Sequence, residues 1–273
     1  MRLRLDVSYD GADFSGWAVQ PDRRTVAGVM NDALHRLYGQ DVHFGLTVAG
    51  RTDAGVHATG QVCHLDLPVT EFPEKLLYRL AGILPVDVRV TSLREVPETF
   101  NARFSATFRR YEYRVTDALF GAEPLRRKDT VVWPRPLDVD RLNAAARLLI
   151  GEHDYAAYCR HKENATTIRE ITRLDWRRDP DGILLCTVQA DAFCQSMVRS
   201  LVGAMLFAGD GRKEVDWPGS LLTMRERASA VAVAPAHGLA LVEVGYPDDP
   251  DEFERQSDRT RRMRVLSTPE ATA

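Results

Sequence analysis

The segment Gly50-Arg51-Thr52-Asp53-Ala54-Gly55-Val56-His57 carries one carboxylate, Asp53, between two glycines. Glycines on both sides permit tight turns and the close approach of another backbone or a ligand. A single carboxylate favours a nucleophile or a one-carboxylate site over general acid–base catalysis by a pair of carboxylates. The alternative interpretation is an aspartate that only stabilises a turn. The eight residues by themselves leave both interpretations open.

The size and composition of the chain limit its class. Its 273 residues, 44% of them hydrophobic, suit one large domain or two of ordinary size. No apolar run approaches the roughly 20 residues of a membrane span, and Asp6 interrupts the apolar pattern that a signal peptide needs. We therefore expect a cytoplasmic protein without a membrane partner. The net charge of −3 argues mildly against nucleic acid, although it does not decide a local patch.

The four cysteines have no paired spacing, which predicts reduced thiols and no structural zinc. The histidines show no metal-binding spacing, and neither a phosphate-binding glycine motif nor a GxSxG motif occurs. These absences favour a reaction around one carboxylate that uses no cofactor and no metal.

Hydrophobic periodicity predicts an α+β protein with two similar α/β halves over antiparallel sheet. The predicted halves are residues 1–106, which carry Asp53, and 107–247. Residues 248–273 are rich in Asp, Glu and Arg and are predicted to be a disordered, dispensable tail. Strands are predicted at 2–8, 61–67, 88–96, 107–115, 171–177, 183–190 and 239–244. Helices are predicted over 74–84, from a Thr25 cap to near Gly39, from an Asp138 cap to Gly151, and from a Ser196 cap to Phe207.

Two residues outside the Asp53 segment are candidates for chemistry. Arg199 lies in an otherwise apolar helix, where it either reaches solvent from the first turn or is buried and needs a carboxylate. Asp53 is the most attractive partner for a buried Arg199. Tyr111 shares a strand face with Tyr113 and Val115. One tyrosine of the two can be core packing, whereas a functional tyrosine would stack on a flat ring such as a nucleobase.

The densest mixture of basic and aromatic residues begins at Phe100-Asn101-Ala102-Arg103-Phe104 and continues through Arg109, Arg110 and Arg114. This composition fits contacts to phosphates and bases. An ordinary sheet with a solvated arginine face is the alternative.

Five segments taken together resemble the tRNA pseudouridine synthases of the TruA type. The Asp53 segment matches the catalytic-aspartate motif of that family. The other matching segments are Tyr9-Asp10-Gly11 with Gly16-Trp17, Phe100 through Tyr111, Met197-Val198-Arg199 with Gly203, and His237-Gly238-Leu239 with Tyr246-Pro247. The resemblance extends to Pro247.

The resemblance implies the pseudouridine synthase fold, in which two α/β halves surround a central RNA-binding cleft. It implies a homodimer that isomerises uridine to pseudouridine at positions 38, 39 and 40 of the tRNA anticodon stem-loop, without a cofactor or metal. Two alternatives remain open. One is a synthase of the same fold that acts on another RNA, and the other is a non-catalytic tRNA-binding chaperone.

The resemblance also implies roles for single residues. Asp53 corresponds to the nucleophile, Arg199 to its ion-pair partner and Tyr111 to the tyrosine that packs on the target base. Arg51 corresponds to the arginine that helps to hold the nucleotide flipped out of the stack, and Leu239 or Leu241 to the apolar wall of the pocket. The segments 100–104 and 163–167 correspond to regions that contact tRNA.

Two departures from the family pattern affect RNA contacts. Asn101 stands where the family usually has His, which predicts an altered contact rather than a lost function. Asp210 stands where a basic residue is commoner, which puts the RNA role of its loop in doubt.

Overall fold

The computed structural model describes residues 1–160, 165–262, 264 and 266. Chain contacts divide it into two compact units. Unit 1 comprises Met1–Arg114, Ala122–Val131 and Pro235–Arg261. Unit 2 comprises Val115–Gly121 and Val132–Ala234, with the described residues from Arg262 onward.

The elements confirm an α+β protein. The described strands are β1 (Arg2–Tyr9), β2 (Thr47–Val48), β3 (His57–Asp66), β4 (Val88–Glu95), β5 (Phe108–Thr116), β6 (Val131–Val132), β7 (Gly151–Asp154), β8 (Ile168–Arg178), β9 (Leu184–Ala190) and β10 (Leu239–Gly245). The described α-helices are α1 (Val26–Tyr38), α2 (Leu76–Ile83), α3 (Val139–Arg147), α4 (Met197–Gly209), α5 (Trp217–Ser220) and α6 (Glu252–Arg261). No described helix has both the length and the apolar character needed to cross a membrane.

The sheet of unit 1 has the strand order β4-β1-β3-β10-β5, with β2 paired to β3. β1 pairs antiparallel with β3 and β4. Because successive side chains of a strand point to opposite faces, its alternating sequence buries Leu3, Leu5 and Val7 on one face. β10 lies between β3, to which it is parallel, and β5, to which it is antiparallel. The last strand of the chain is therefore central in unit 1.

This placement of β10 makes the units differ from the predicted halves. The predicted boundary at residue 106 separated the Asp53 segment from β5 and β10, whereas the structure groups all three in unit 1. β3 also begins at His57 rather than at the predicted Gln61. Ala240 and Leu241 pair with His57 and Ala58, and the backbone of β10 approaches so closely that a Cβ on Gly60 would lie 2.0 Å from Val242 O.

Unit 2 contains the antiparallel strands β7, β8 and β9. The predicted hairpin at Pro180-Asp181-Gly182 is confirmed, since the N–H of Asp179 donates to Ile183 O at 2.8 Å between β8 and β9. The Asn143 side chain on α3 both donates to Trp176 O and accepts from Trp176 N, which joins the helix to β8. The predicted cap of α3 is confirmed, because the Asp138 carboxylate accepts two N–H groups of the first turn.

Three expectations are corrected in the structure. Residues 252–261 form α6 rather than a disordered tail, because Phe253 and Ser257, spaced one helical turn apart, are both buried. Ser196 precedes α4 with φ of 64° and makes no side-chain cap hydrogen bond. Cys159 and Cys194 are joined as a disulfide with Cα atoms 5.6 Å apart, so the prediction of reduced thiols is wrong for this pair.

Candidate active site

Asp53 opens a turn between β2 and β3. The N–H of Val56 donates to Asp53 O at 3.2 Å, and Gly55 inside the turn has φ of +78°, a conformation that other residues adopt only with strain. The Gly55 N–H donates to Phe14 O at 3.2 Å, which ties the turn to the loop after β1. Asp53 itself is half-buried. The turn therefore presents this carboxylate on a fixed backbone.

A buried polar network supports the residues on the N-terminal side of Asp53. Gln61, which is fully buried, donates to Gly50 O at 2.8 Å and to the Tyr9 hydroxyl at 3.2 Å. The Tyr9 hydroxyl in turn lies 2.8 Å from Thr52 Oγ1. Since buried polar groups are costly to leave unpaired, this network fixes the positions of Gly50 and Thr52.

His57 anchors the other end of the segment. Its Nδ1 accepts the N–H of Gly11 at 3.0 Å, and its Nε2 lies 2.8 Å from Lys128 O and 3.0 Å from His237 O. The Nδ1 atom also lies 3.1 Å from Asp10 Oδ1. His57 thus connects the end of the Asp53 turn to three other loops of unit 1.

We expect Gly11→Ala to lower the free energy of unfolding by about 1–3 kcal/mol. A Cβ on Gly11 would lie 1.9 Å from Val56 O, so the backbone of the Asp53 turn would have to move. Gly82→Ala is the matched control, because nothing lies within 4 Å of its Cβ in α2 and alanine favours helix. Urea unfolding followed by circular dichroism measures both. Equal midpoints for the two variants would contradict the close approach.

Tyr111 and Tyr113 lie on the same face of β5 and have different surroundings. The Tyr113 hydroxyl donates to Pro235 O at 3.0 Å, and this fully buried ring packs beneath Gly238. The Tyr111 hydroxyl lies 4.0 Å from the position that a Cβ on Gly50 would take. Burial raises the pKa of Tyr111 to about 12; the Arg109 guanidinium opposes this shift and the Asp53 carboxylate adds to it. Tyr111 is therefore the tyrosine beside the Asp53 segment, and Tyr113 is core.

Leu239 and Leu241 are neighbours of these tyrosines on β10. Leu239 is opposite Tyr113 and Leu241 is opposite Tyr111 in the antiparallel register, so all four side chains share one face of the sheet. Leu241 is fully buried and Leu239 is 5% exposed. The structure thus brings both predicted leucines to the face that carries Tyr111.

The basic–aromatic segment is shaped by Asn101 and Arg109. Asn101 Oδ1 accepts the N–H groups of Arg103 and Phe104, both at 3.0 Å, which folds the segment into a tight turn. Arg109 is buried and donates to Ala49 O at 2.9 Å and to Arg103 O. The side chain of Asn101 therefore shapes the turn, and Arg109 joins this turn to the residue before Gly50.

The partners of the other arginines of β5 reduce their positive charge. Arg110 forms an ion pair with Glu243, and Arg114 pairs with Glu112 at 3.0 Å. Arg51 and Arg103 are exposed and make no ion pair with any described residue. The guanidinium groups of Arg51 and Arg103 are therefore the better candidates for contact with an anionic ligand.

Arg199 lies in the first turn of α4, in unit 2, whereas Asp53 lies in unit 1. Its Nε donates to Ala234 O at 2.7 Å, and its carbonyl accepts the N–H of Ala234 at 3.0 Å. Arg199 is half-buried. The pairing of Arg199 with Asp53 stays a prediction.

Asp210 has local partners in unit 2. Its carboxylate accepts from Trp133 Nε1 at 3.0 Å and from Arg212 Nε at 2.8 Å. Burial alone would raise the pKa of Asp210, but the hydrogen bonds from Arg212 and Trp133 hold it below its usual value. This residue therefore orders its own loop.

Of the segment 163–167, residues 163 and 164 lie outside the described residues.

Sequence reasoning missed the support for Asp53. The residues concerned are Gln61, Thr52, Arg109 and His57, together with the hydroxyl of Tyr9. No local spacing rule connects these residues with their partners. The hydrogen bonds of Thr52, His57 and Arg109 reach partners that are 43, 46 and 60 positions away in the sequence. The one available signal was the polar Gln61 beside the apolar Val62 and Cys63 in β3. Among the described residues no group of three or more His, Cys, Asp or Glu side chains could hold a metal ion.

Comparison of the chain with known proteins identifies the class of protein to which the site and its α+β scaffold belong. The sequence model of a family described as tRNA pseudouridine synthase matches residues 7–105 and 145–247. The chain therefore belongs to the tRNA pseudouridine synthase family, a family of isomerases.

Curated relatives named tRNA pseudouridine synthase A make the likeness more particular. The one from Frankia casuarinae is 55% identical over 98% of this chain and 97% of its own length. The one from Streptomyces avermitilis is 58% identical over 97% of this chain and 95% of its own length. The one from Mycobacterium leprae is 48% identical over 97% of this chain and 96% of its own length.

Proposed function

We propose that this chain isomerises uridine to pseudouridine at positions 38, 39 and 40 of the tRNA anticodon stem-loop, with Asp53 as the nucleophile. The observation that carries the proposal is the Asp53 turn beside the hydroxyl of Tyr111, in a chain that belongs to this family. The names of the relatives support tRNA as the substrate.

The reaction needs only groups that the chain contains. The bond between N1 of uracil and C1′ breaks, the base turns, and a bond forms between C5 and C1′. One proton leaves C5 and one is gained at N1, so the composition is unchanged and no external reactant is consumed. Attack of the Asp53 carboxylate at either C1′ or C6 satisfies this balance.

Tyr111 enters this reaction as a neutral phenol. With a pKa raised to about 12 by burial, it keeps its proton at neutral pH. Its ring can pack on uracil, and its hydroxyl can donate a hydrogen bond near Asp53. A role in removing the C5 proton would require the phenol to pass its own proton onward. Leu239 and Leu241 supply apolar surface on the same face of the sheet.

The two arginines have separate proposed roles. Extruding a paired base costs a few kcal/mol. The exposed guanidinium of Arg51 lies two residues from Asp53 and is suited to hold the flipped nucleotide. Arg199 would pair with Asp53 and orient its carboxylate through a planar two-donor fork.

The proposal includes a homodimer that holds one tRNA across both subunits and acts in the cytoplasm without cofactor or metal. Support comes from the resemblance and from an exposed apolar pair in unit 2. Leu119 and Phe120 are 107% and 75% exposed, as expected for residues that a second copy covers.

Mapping pseudouridines in tRNA from a strain that lacks this gene tests the proposal. We expect modification at positions 38, 39 and 40 to be lost and to return with the wild-type gene but not with an Asp53→Ala gene. Continued modification at all three positions would contradict the proposal. Loss at a site in another RNA alone would favour the alternative substrate, and no loss in any RNA would favour the non-catalytic chaperone.

A further inference from the structure

Helix α6 is docked on the basic–aromatic segment of unit 1. The ring of Phe253 packs edge-on against Phe100, with centroids 5.2 Å apart. The hydroxyl of Ser257 lies 2.9 Å from that of the fully buried Ser105, and the Gln256 amide donates to Ala106 O at 3.2 Å. These apolar and polar contacts fix the position of α6 against residues 100–106.

The family match stops before this helix. It ends at residue 247, whereas α6 begins at Glu252. The roles that the resemblance assigns therefore do not include any residue of α6. Its position must be interpreted from its own contacts and charges.

The C-terminal turn of α6 brings a second guanidinium to the ring of Phe104. The Cζ atom of Arg261 lies 4.1 Å from the centroid of this ring, and the Cζ atom of Arg103 lies 5.0 Å from it. Both arginines are exposed, and neither forms an ion pair with a described carboxylate. Two cationic groups at one ring raise the local positive potential, which favours an anionic ligand there.

The ring and Arg103 are held in place before any ligand binds. Asn101 Oδ1 accepts the N–H groups of Arg103 and Phe104, and Arg109 donates to Arg103 O. Ser105, the next residue, is bonded to α6. A site whose backbone is already ordered loses less entropy when it binds a ligand.

We propose that Arg261 and Arg103, whose guanidinium groups both lie at the Phe104 ring, bind the phosphate backbone of the tRNA, so that α6 extends the RNA-binding surface of unit 1. This inference rests on the proposed function, because that function supplies the RNA. Arg261 is the new residue, since the family resemblance covers only Arg103. Guanidinium groups suit this ligand because they match phosphate oxygens with paired donors.

The test measures tRNA affinity in the full chain carrying Asp53→Ala, so that binding is observed without turnover. We expect Arg261→Ala to weaken binding by roughly 5- to 20-fold, the range expected for a lost charge-assisted contact. The slope of log K against log salt should fall by about 0.7 to 0.9 for the lost phosphate contact. Arg261→Lys should retain most of the slope, because it retains the charge.

Arg255→Ala is the matched control. Arg255 is an exposed arginine of the same helix, and its guanidinium lies 3.4 Å from the Glu252 carboxylate rather than on Phe104. The Arg255→Ala variant should leave both the tRNA affinity and the slope of log K against log salt unchanged. If Arg261→Ala behaves like Arg255→Ala while both remain folded by circular dichroism, α6 only packs on the sheet and the inference is wrong.

A second measurement separates this inference from the proposed function. In the chain with Asp53 intact, Arg261→Ala should lower kcat/KM by the same factor as it raises Kd. If the wild-type chain converts no uridine in tRNA, the proposed function fails. If the wild-type chain is active and Arg261→Ala has an unchanged kcat/KM, only the role of α6 is contradicted.

Discussion

Asp53→Asn is expected to abolish formation of pseudouridine in tRNA while leaving tRNA binding nearly intact. The amide has almost the same shape as the carboxylate but is a poor nucleophile, so the rate should fall by on the order of 10³-fold or more. The turn itself should persist, because it is held by Gln61, Tyr9 and the backbone bond from Val56 to Asp53. We therefore expect the dissociation constant for tRNA to stay within about tenfold, or 1.4 kcal/mol.

Asp13→Asn is the matched control for the loss of one negative charge. The Asp13 side chain is 74% exposed, lies in the loop after β1 of the same unit, and approaches Lys128 at 3.6 Å. It should retain wild-type turnover. Single-turnover formation of pseudouridine in tRNA measures the rate, and filter binding measures the dissociation constant. Activity in Asp53→Asn within about tenfold of wild type would exclude Asp53 as the nucleophile.

Arg199→Lys is expected to lower turnover by about 100-fold with a change in the free energy of unfolding below about 1 kcal/mol. Lysine keeps the charge but cannot supply the planar fork that we propose orients Asp53. It also loses the Nε–H that donates to Ala234 O. The catalytic loss should therefore exceed the structural one.

Arg141→Lys separates the two effects of the Arg199 change. Arg141 lies on α3 of the same unit and donates from Nε to Ala208 O at 2.9 Å, which is the same kind of contact as that from Arg199 to Ala234. The Arg141→Lys variant should show a change in unfolding free energy similar to that of Arg199→Lys, with no change in turnover. Wild-type turnover in Arg199→Lys, or an equal loss in both variants, would contradict the proposed ion pair.

Local patterns predicted most of the elements because they record which side of an element is buried. The alternation of Leu3, Leu5 and Val7 is sufficient for β1, and the caps Thr25 and Asp138 mark the first turns of α1 and α3. The composition of residues 248–273 was misleading. The segment is polar on average, but Phe253 and Ser257 are buried within it. These two side chains contact residues 100–106, and the segment that carries them is helical.

The sequence by itself determined the family, the α+β class and the candidate Asp53, because these are written in contiguous residues and in local periodicity. Only the tertiary structure decided that Tyr111 rather than Tyr113 lies beside the Asp53 segment, and that Gln61 and Arg109 support its backbone. The physical reason is the pairing of β10 between β3 and β5. This pairing brings residues separated by up to 183 positions into register, and no local pattern encodes such a register.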